Sequence, residues 1–359
     1  MAIFKKLFSK KSGTKTPKGF FALIIADIEK MTADTVKVTL DVPANLKSEF
    51  AFKPGQYLDF SIQLDGKEER RSYSICSGKN EPLSVAVKAV ENGMVSRWFN
   101  DVATSGDEIL VSRPSGNFIL PETAKKVVAI AAGSGITPIM AFAKALNASD
   151  GSMELFYGNR TEDSILFRSE IDAIPAVNAT YFLSGEDKEG FKLGRIDHIT
   201  FPLCIKENLQ LLKADYFVLC GPEQMIAEVS DALKIFGVSA DKIKYELFTT
   251  PVLLKSETEV IENTFEGLAN VTVILDDEKI NFELAAKGPS VLEKANKEGM
   301  DAPYSCKGGV CSTCKAKVLK GSCTMTMNYA LTDKEVEEGY ILTCQSHPAE
   351  AEIVISYDE

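Results

Sequence analysis

Five of the eight cysteines fall after residue 305, and four of these have a spacing that could do chemistry. Cys306, Cys311 and Cys314 stand x4 and x2 apart, and Cys344 follows after 29 further residues. Thiolates at these intervals match the ligand spacing of a [2Fe-2S] cluster rather than the paired C-x2-C knuckles of a zinc site. The loop PYSCKGGVCSTCKAKV suits that chemistry. Gly308 and Gly309 carry no Cβ, so backbone N–H groups can turn toward sulfur, and Ser305 and Ser312 can add hydroxyl donors that tune a reduction potential. A structural Zn(Cys)4 site is the alternative. Cys323 lies outside the pattern and reads as a free thiol, and Cys76 and Cys204 read as small apolar packing residues.

A second candidate lies in AIAAGSGITPIM, where a strand runs into a helix. Gly133, Ser134 and Gly135 allow close approach of a pyrophosphate, and Thr137 with the helix N-terminus can hold it. Histidine offers little, since His198 and His347 are the only two. General acid–base work by imidazole is therefore not expected. Residues 1–19 hold six lysines and no acid, and removing them from the net −11 leaves −17 on the other 340 residues. So acidic a body is a poor nucleic-acid ligand.

The elements that must position these groups fall into a multidomain order. Residues 1–19 form a basic tail in which Ile3, Phe4, Leu7 and Phe8 would share one face of a short helix. A weak membrane-surface or docking role competes there with a plain disordered tail. Residues 20–120 alternate in short runs, from FFALIIADIEK to EILVSRP, which predicts six strands of an antiparallel β-barrel interrupted by a helix near 95–102. Residues 121–248 alternate strand and helix, including SILFRSEIDAI as a helix, which predicts an α/β doubly wound nucleotide-binding domain. Polar residues 249–265 read as a linker. Residues 266–359 read as a hairpin (ANVTVILDDEKINFELA), a helix (SVLEKANKEG) and a closing strand (EIVISY), an α+β domain that holds all four spaced cysteines. No window reaches the ~18 uninterrupted apolar residues of a membrane helix. With no signal peptide evident, a cytoplasmic location is expected.

CKGGVCSTC marks the last ninety-odd residues as resembling a plant-type ferredoxin of β-grasp fold. In the barrel, Arg71-Ser72-Tyr73-Ser74 is similar to the flavin signature of the ferredoxin-NADP reductase family. The resemblance implies that Arg71 pairs with the flavin phosphate, Ser72 and Tyr73 line the ribityl and ring, and Ser74 reaches the N5 edge, where hydride arrives. Val87 and Lys88 on the following strand, then Gly93, Val95 and Ser96 in a turn that opens a helix, would complete the flavin site. FAD is expected over FMN on the strength of that turn. In the nucleotide domain the resemblance adds Pro138, Arg160, Ser184 and Arg195 to the glycine turn. It also assigns Cys220 in CGPEQM to the nicotinamide side with Gly221 and Pro222, and Glu246 and Phe248 to the terminal segment near the flavin. Glu186 and Asp187 follow Ser184 and Gly185, where many NADP-specific relatives place an arginine, so an acidic pair could hold the ribose diol of NADH. Arg160, Lys188, Lys192 and Arg195 would serve a 2′-phosphate, and NADPH is preferred, following the family.

This order, flavin barrel, nucleotide domain and ferredoxin, resembles the reductase components of bacterial multicomponent oxygenases. It implies a two-to-one electron converter that delivers to an oxygenase component. No Glu-x-x-His pair is present, so substrate oxidation would belong to a partner. Residues 266–359 carry sixteen acids and nine lysines, which fits acidic docking onto a basic surface as well as an ordinary solvated one. Two other readings remain open: a reductase serving a haem protein, desaturase or soluble ferredoxin, and a non-catalytic redox sensor or relay.

Overall fold

The computed structural model describes Pro17, residues 19–249 and residues 263–359. The expectations for the basic tail and for most of the linker fall outside the described residues. The chain packs as two units, one comprising Met1–Pro114, Leu120–Ile196 and Leu209–Val218, the other Ser115–Ile119, Asp197–Asn208 and Leu219–Glu359.

The barrel strands are β1 (Phe20–Thr32), β2 (Thr35–Asp41), β3 (Tyr57–Leu64), β4 (Lys67–Ser74), β5 (Ser84–Lys88) and, after helix α1 (Met94–Asp101), β6 (Glu108–Ser112). Their order is β4-β3-β6-β1-β2-β5, every recorded pair is antiparallel, and an Ile75↔Val85 bridge joins the outer strands. Alternation places Leu23, Ile25, Val36, Val38, Leu58, Phe60, Val85 and Val111 inside. Asp65 and Gly66, both at positive φ, make the tight β3–β4 turn, whose twist matches that of its strands. All six expected strands form, and α1 begins one residue before the expected start.

Next come β7 (Lys126–Ala132), α2 (Ile136–Ala148), β8 (Ser152–Asn159), α3 (Arg168–Asp172), β9 (Val177–Leu183), β10 (Lys192–Leu193), α4 (Thr200–Glu207), β11 (Tyr216–Cys220), α5 (Glu223–Ile235) and β12 (Ile243–Glu246). The sheet order is β10-β9-β8-β7-β11-β12, with β7, β8, β9 and β10 parallel. Two local readings need correction. The expected helix SILFRSEIDAI shrinks to the five residues of α3, because Phe167 sits at φ 58, outside the helical region. The sequence reading also passed over α4, whose entry is organised by Asp197 Oδ1 accepting the N–H of Ile199 (2.9 Å) and Thr200 (2.8 Å).

The remaining residues form β13 (Leu268–Leu275), β14 (Glu278–Ala285), α6 (Val291–Lys297), β15 (Lys315–Lys320), β16 (Cys323–Met325), α7 (Asp333–Glu337), β17 (Tyr340–Leu342), β18 (Ser346–Pro348) and β19 (Glu352–Ser356). The five-stranded sheet runs β14-β13-β19-β15-β17, with β13 and β19 parallel, and β16 pairs with β18. The expected hairpin, helix and closing strand are all present. Ser290 and Glu293 close a capping box on α6, whose Val291, Leu292 and Ala295 reach the sheet core.

Phe60 is fully buried and meets Tyr73 and Phe99 edge-on, with centroids 5.7 and 5.4 Å apart. Phe60→Ala is expected to destabilise the barrel by about 3–5 kcal/mol in a denaturant titration, through lost burial and an unfilled cavity.

Candidate functional site

The four spaced cysteines meet in the second unit. Cys306, Cys311 and Cys314 lie on the irregular segment ahead of β15, and Cys344 lies between β17 and β18. Antiparallel pairing of Lys315 with Leu342 sets Cys314 beside the Thr343–Cys344 step. Thr343 then donates to the Cys314 carbonyl from both its N–H (3.1 Å) and its hydroxyl (3.0 Å).

The sulfurs fall into two pairs. Cys311 Sγ donates to Cys306 Sγ at 3.0 Å, and the Gly308 N–H approaches the same acceptor at 3.3 Å. These donors pull the Cys306 thiol down to about 6 against the opposing effect of burial. Cys314 and Cys344 share a second thiol hydrogen bond, which favours thiolate on Cys344 and, together with burial, the protonated form on Cys314. Gln345 Nε2 lies 3.8 Å from Cys344 Sγ and donates to the Lys307 carbonyl at 2.9 Å. Its Oε1 accepts from Thr326 Oγ1 at 2.6 Å. Gly309, at φ 72, is packed so tightly that a Cβ would fall 3.1 Å from the Met327 carbonyl. Two thiol pairs with inward N–H donors fit a two-iron, four-thiolate cluster. Cys323 stands apart, its thiol pushed up to about 12 by burial.

In the first unit, Arg71, Ser72, Tyr73 and Ser74 occupy the end of β4. The Arg71 side chain is half exposed, 3.2 Å from Glu69, and Ser72 Oγ donates to Asp59 Oδ1 at 2.6 Å. Tyr73 is wedged edge-on against Phe60 and Phe99, and burial pushes its hydroxyl far above the usual range. Ser74 is buried. Val87 is buried on β5, and Lys88 there pairs with Asp34 at 3.4 Å. Gly93 precedes α1, and Ser96 Oγ, buried one turn in, accepts the Val90 N–H (3.2 Å) and donates to the Gly93 carbonyl (3.3 Å). A Cβ on Gly93 would meet Ser96 Oγ at 2.5 Å and Val90 Cγ2 at 2.4 Å, and Val95 is buried beside it.

Gly133, Ser134 and Gly135 form a 3-10 turn between β7 and α2, with Gly133 at φ 53. Thr137 Oγ1 donates to the Ser134 carbonyl (3.0 Å), and the Tyr157 hydroxyl donates to that of Gly133 (3.0 Å). Thr137 and Pro138 are buried in the first turn of α2. Arg160, Ser184 and Arg195 are exposed, and the Gly185 N–H donates to the Arg160 carbonyl at 2.8 Å. Two of the groups expected to choose between nucleotides are engaged locally: Glu186 Oε1 accepts the Glu162 N–H (2.5 Å), and Lys188 pairs with Glu162.

Back in the second unit, Cys220 ends β11 fully buried, its thiol pushed well above the ordinary range by burial and by Glu246. Gly221 and Pro222 lead into α5, Glu246 ends β12, and Phe248 is exposed. The sequence reading missed Thr343, Gln345, Thr326 and Tyr157. Thr343 and Gln345 flank Cys344, a candidate cluster ligand, and that adjacency is the signal that could have found them.

Family models match in the order of this architecture: an oxidoreductase FAD-binding domain over residues 22–119, an oxidoreductase NAD-binding domain over 129–231 and a 2Fe-2S iron-sulfur cluster binding domain over 273–349. One component of the 1,2-phenylacetyl-CoA epoxidase of Escherichia coli (strain K12) is 36% identical, over 94% of this chain and 98% of that protein. The ferredoxin reductase component of 3-ketosteroid-9-alpha-monooxygenase from Rhodococcus rhodochrous is 29% identical, over 93% of this chain and 96% of that protein. Among solved structures, phthalate dioxygenase reductase superposes with a TM-score of 0.60 at 26% identity, over 95% of this chain and 100% of that one.

Gly93→Ala is expected to displace Ser96 and loosen FAD by about tenfold or more, equivalent to ~1.4 kcal/mol, measured by flavin fluorescence on dilution.

Proposed function

Because the chain belongs to the family of FAD- and NAD-binding, 2Fe-2S oxidoreductases that includes the 1,2-phenylacetyl-CoA epoxidase component, we propose that it passes electrons from NAD(P)H through FAD and [2Fe-2S] to a partner oxygenase, the phenylacetyl-CoA epoxidase of phenylacetate catabolism. When bound, the flavin takes two electrons as hydride and the cluster carries one at a time, which is the conversion an oxygenase needs. The observation that carries the reading is the 36% identity to the epoxidase component over 94% of this chain and 98% of that protein. A reductase for another oxygenase is the second reading, favoured by the relatives that serve 3-ketosteroid and glycine betaine monooxygenases.

In the proposed arrangement Arg71 holds the flavin phosphate, Ser72 and Tyr73 hold the ribityl and ring, and Ser74 donates at the N5 edge. Val87, Lys88, Gly93, Val95 and Ser96 wall the same site. Gly133, Ser134, Gly135, Thr137 and Pro138 present backbone N–H groups and a hydroxyl to the dinucleotide pyrophosphate. Arg160, Ser184 and Arg195 line the adenosine end, with NADPH preferred to NADH. Cys220, Gly221 and Pro222 face the nicotinamide, and Glu246 and Phe248 cover the flavin. Cys306, Cys311, Cys314 and Cys344 hold the cluster. None of these groups needs to act as a general base, in keeping with the two histidines of the chain.

Anaerobic titration of the purified holoprotein with NADPH and with NADH tests the reading. Flavin bleaching followed by the EPR signal of a reduced [2Fe-2S] centre is expected, and failure of both nucleotides to reduce either centre would overturn it. Cys311→Ser is expected to abolish the cluster signal and electron delivery to the epoxidase oxygenase while flavin bleaching persists. Undiminished delivery would refute the path.

A further inference from the structure

Lys144 on α2 is largely buried, and its ammonium is held by Glu81 Oε2 at 2.7 Å and Glu170 Oε2 at 3.3 Å. Glu170, on α3, also meets Lys37 of β2 at 3.6 Å, and Lys37 meets Glu29 of β1 at 4.0 Å. The charges alternate along the row Glu81, Lys144, Glu170, Lys37, Glu29. Glu81, Lys37 and Glu29 come from the barrel, and Lys144 and Glu170 from the α/β region, all within the first unit. The row thus crosses between the two folds twice, at Glu81–Lys144 and at Lys37–Glu170. An amine this buried stays charged only with such partners, and its pKa is raised by Glu81 and Glu170 despite the burial that opposes them. Beneath the row lies the fully buried Cys76, whose thiol donates to the Ser84 carbonyl at 3.3 Å and is pushed up to about 12, so it adds no charge.

Two members of the row lie near the expected cofactor elements. Glu81 sits on the connection from the end of the flavin strand at Ser74 to β5, and Lys144 lies on the helix that opens at the glycine turn, about 12 Å along it at 1.5 Å per residue. β5 packs against that same turn. The carboxylates of this row are partly exposed while the lysines are largely buried, so the pairs contribute modest stability and the value of the row lies in direction rather than strength.

We propose that Lys144 is a positioning residue for hydride transfer, its bridge from Glu81 to Glu170 fixing the nucleotide helix in register with the end of the flavin strand. This inference rests on the functional reading above. The test uses full-length FAD-loaded protein with Lys144→Met, Lys144→Arg, Glu81→Gln and the Lys144→Met/Glu81→Gln double variant. At saturating nucleotide, anaerobic stopped-flow flavin reduction is expected to slow about tenfold in Lys144→Met and Glu81→Gln, as misplacement of reactants predicts. The half-saturating concentration should stay within about twofold, Lys144→Arg should recover most of the rate, and the double variant should be no slower than the worse single one. Unchanged rates, a loss confined to half-saturation, or Lys144→Arg as slow as Lys144→Met would each overturn the proposal.

A second readout needs no flavin chemistry. Glu81 Oε2 also accepts the Gly78 N–H at 2.9 Å, so amide exchange across residues 78–81 should rise about fivefold in Lys144→Met. Unchanged exchange there counts against the clamp. If the wild-type flavin is bleached by neither nucleotide, the functional reading fails, and this exchange measurement still decides the clamp.

Discussion

Antiparallel pairing of β15 with β17 is the constraint on which the cysteine site depends. Three ligand candidates are close in sequence and need only a loop, but the fourth must be carried across 29 residues to the same place. The register Lys315↔Leu342 does that, and the two hydrogen bonds from Thr343 to the Cys314 carbonyl fix it. A slip of one residue in the β15–β17 register would carry Cys344 away from Cys314 and leave an incomplete ligand set. The buried Gln345 and the tightly packed Gly309 then close the loop around sulfur.

The first unit solves a related problem without sulfur. Close approach of backbone to a phosphate requires turns that most side chains would obstruct. Gly93 and Gly133 supply such turns, one through lack of space and the other through its backbone angle. Their neighbours hold those turns in place: Ser96 ties down one, and Tyr157 and Thr137 tie down the other. Rigid support of this kind suits a site whose chemistry resides in bound cofactors.

Much of the fold was legible because its signals are local. Short alternating runs marked the barrel strands, continuous apolar runs marked the parallel ones, and SVLEKANKEG marked α6, which the structure closes with a capping box at Ser290. The failures have physical causes. SILFRSEIDAI reads as a helix, but Ile165, Leu166 and Phe167 turn into the core as Phe167 takes a left-handed angle. Helix α4 carries Pro202, which argues against a helix unless it falls in the first turn, where it does fall. Cysteine spacing exposed the ligand candidates, whereas the contributions of Thr343 and Thr326 exist only once strands pair. The roles expected of Glu186 and Lys188 looked open in sequence because the loop carrying Glu162, which engages both, is about twenty-five residues away.

The place of Cys344 in the chain also orders the protein's maturation. Residues of the barrel and of the nucleotide fold leave the ribosome well before the last ligand cysteine is made, and chains tend to fold in that order. β19, which lies between β13 and β15 in the sheet, is translated later still. A cluster held by all four of these cysteines would therefore have to wait until the barrel and the nucleotide fold have been made. A chain stopped short of Cys344 would lack the fourth sulfur that the proposed cluster needs.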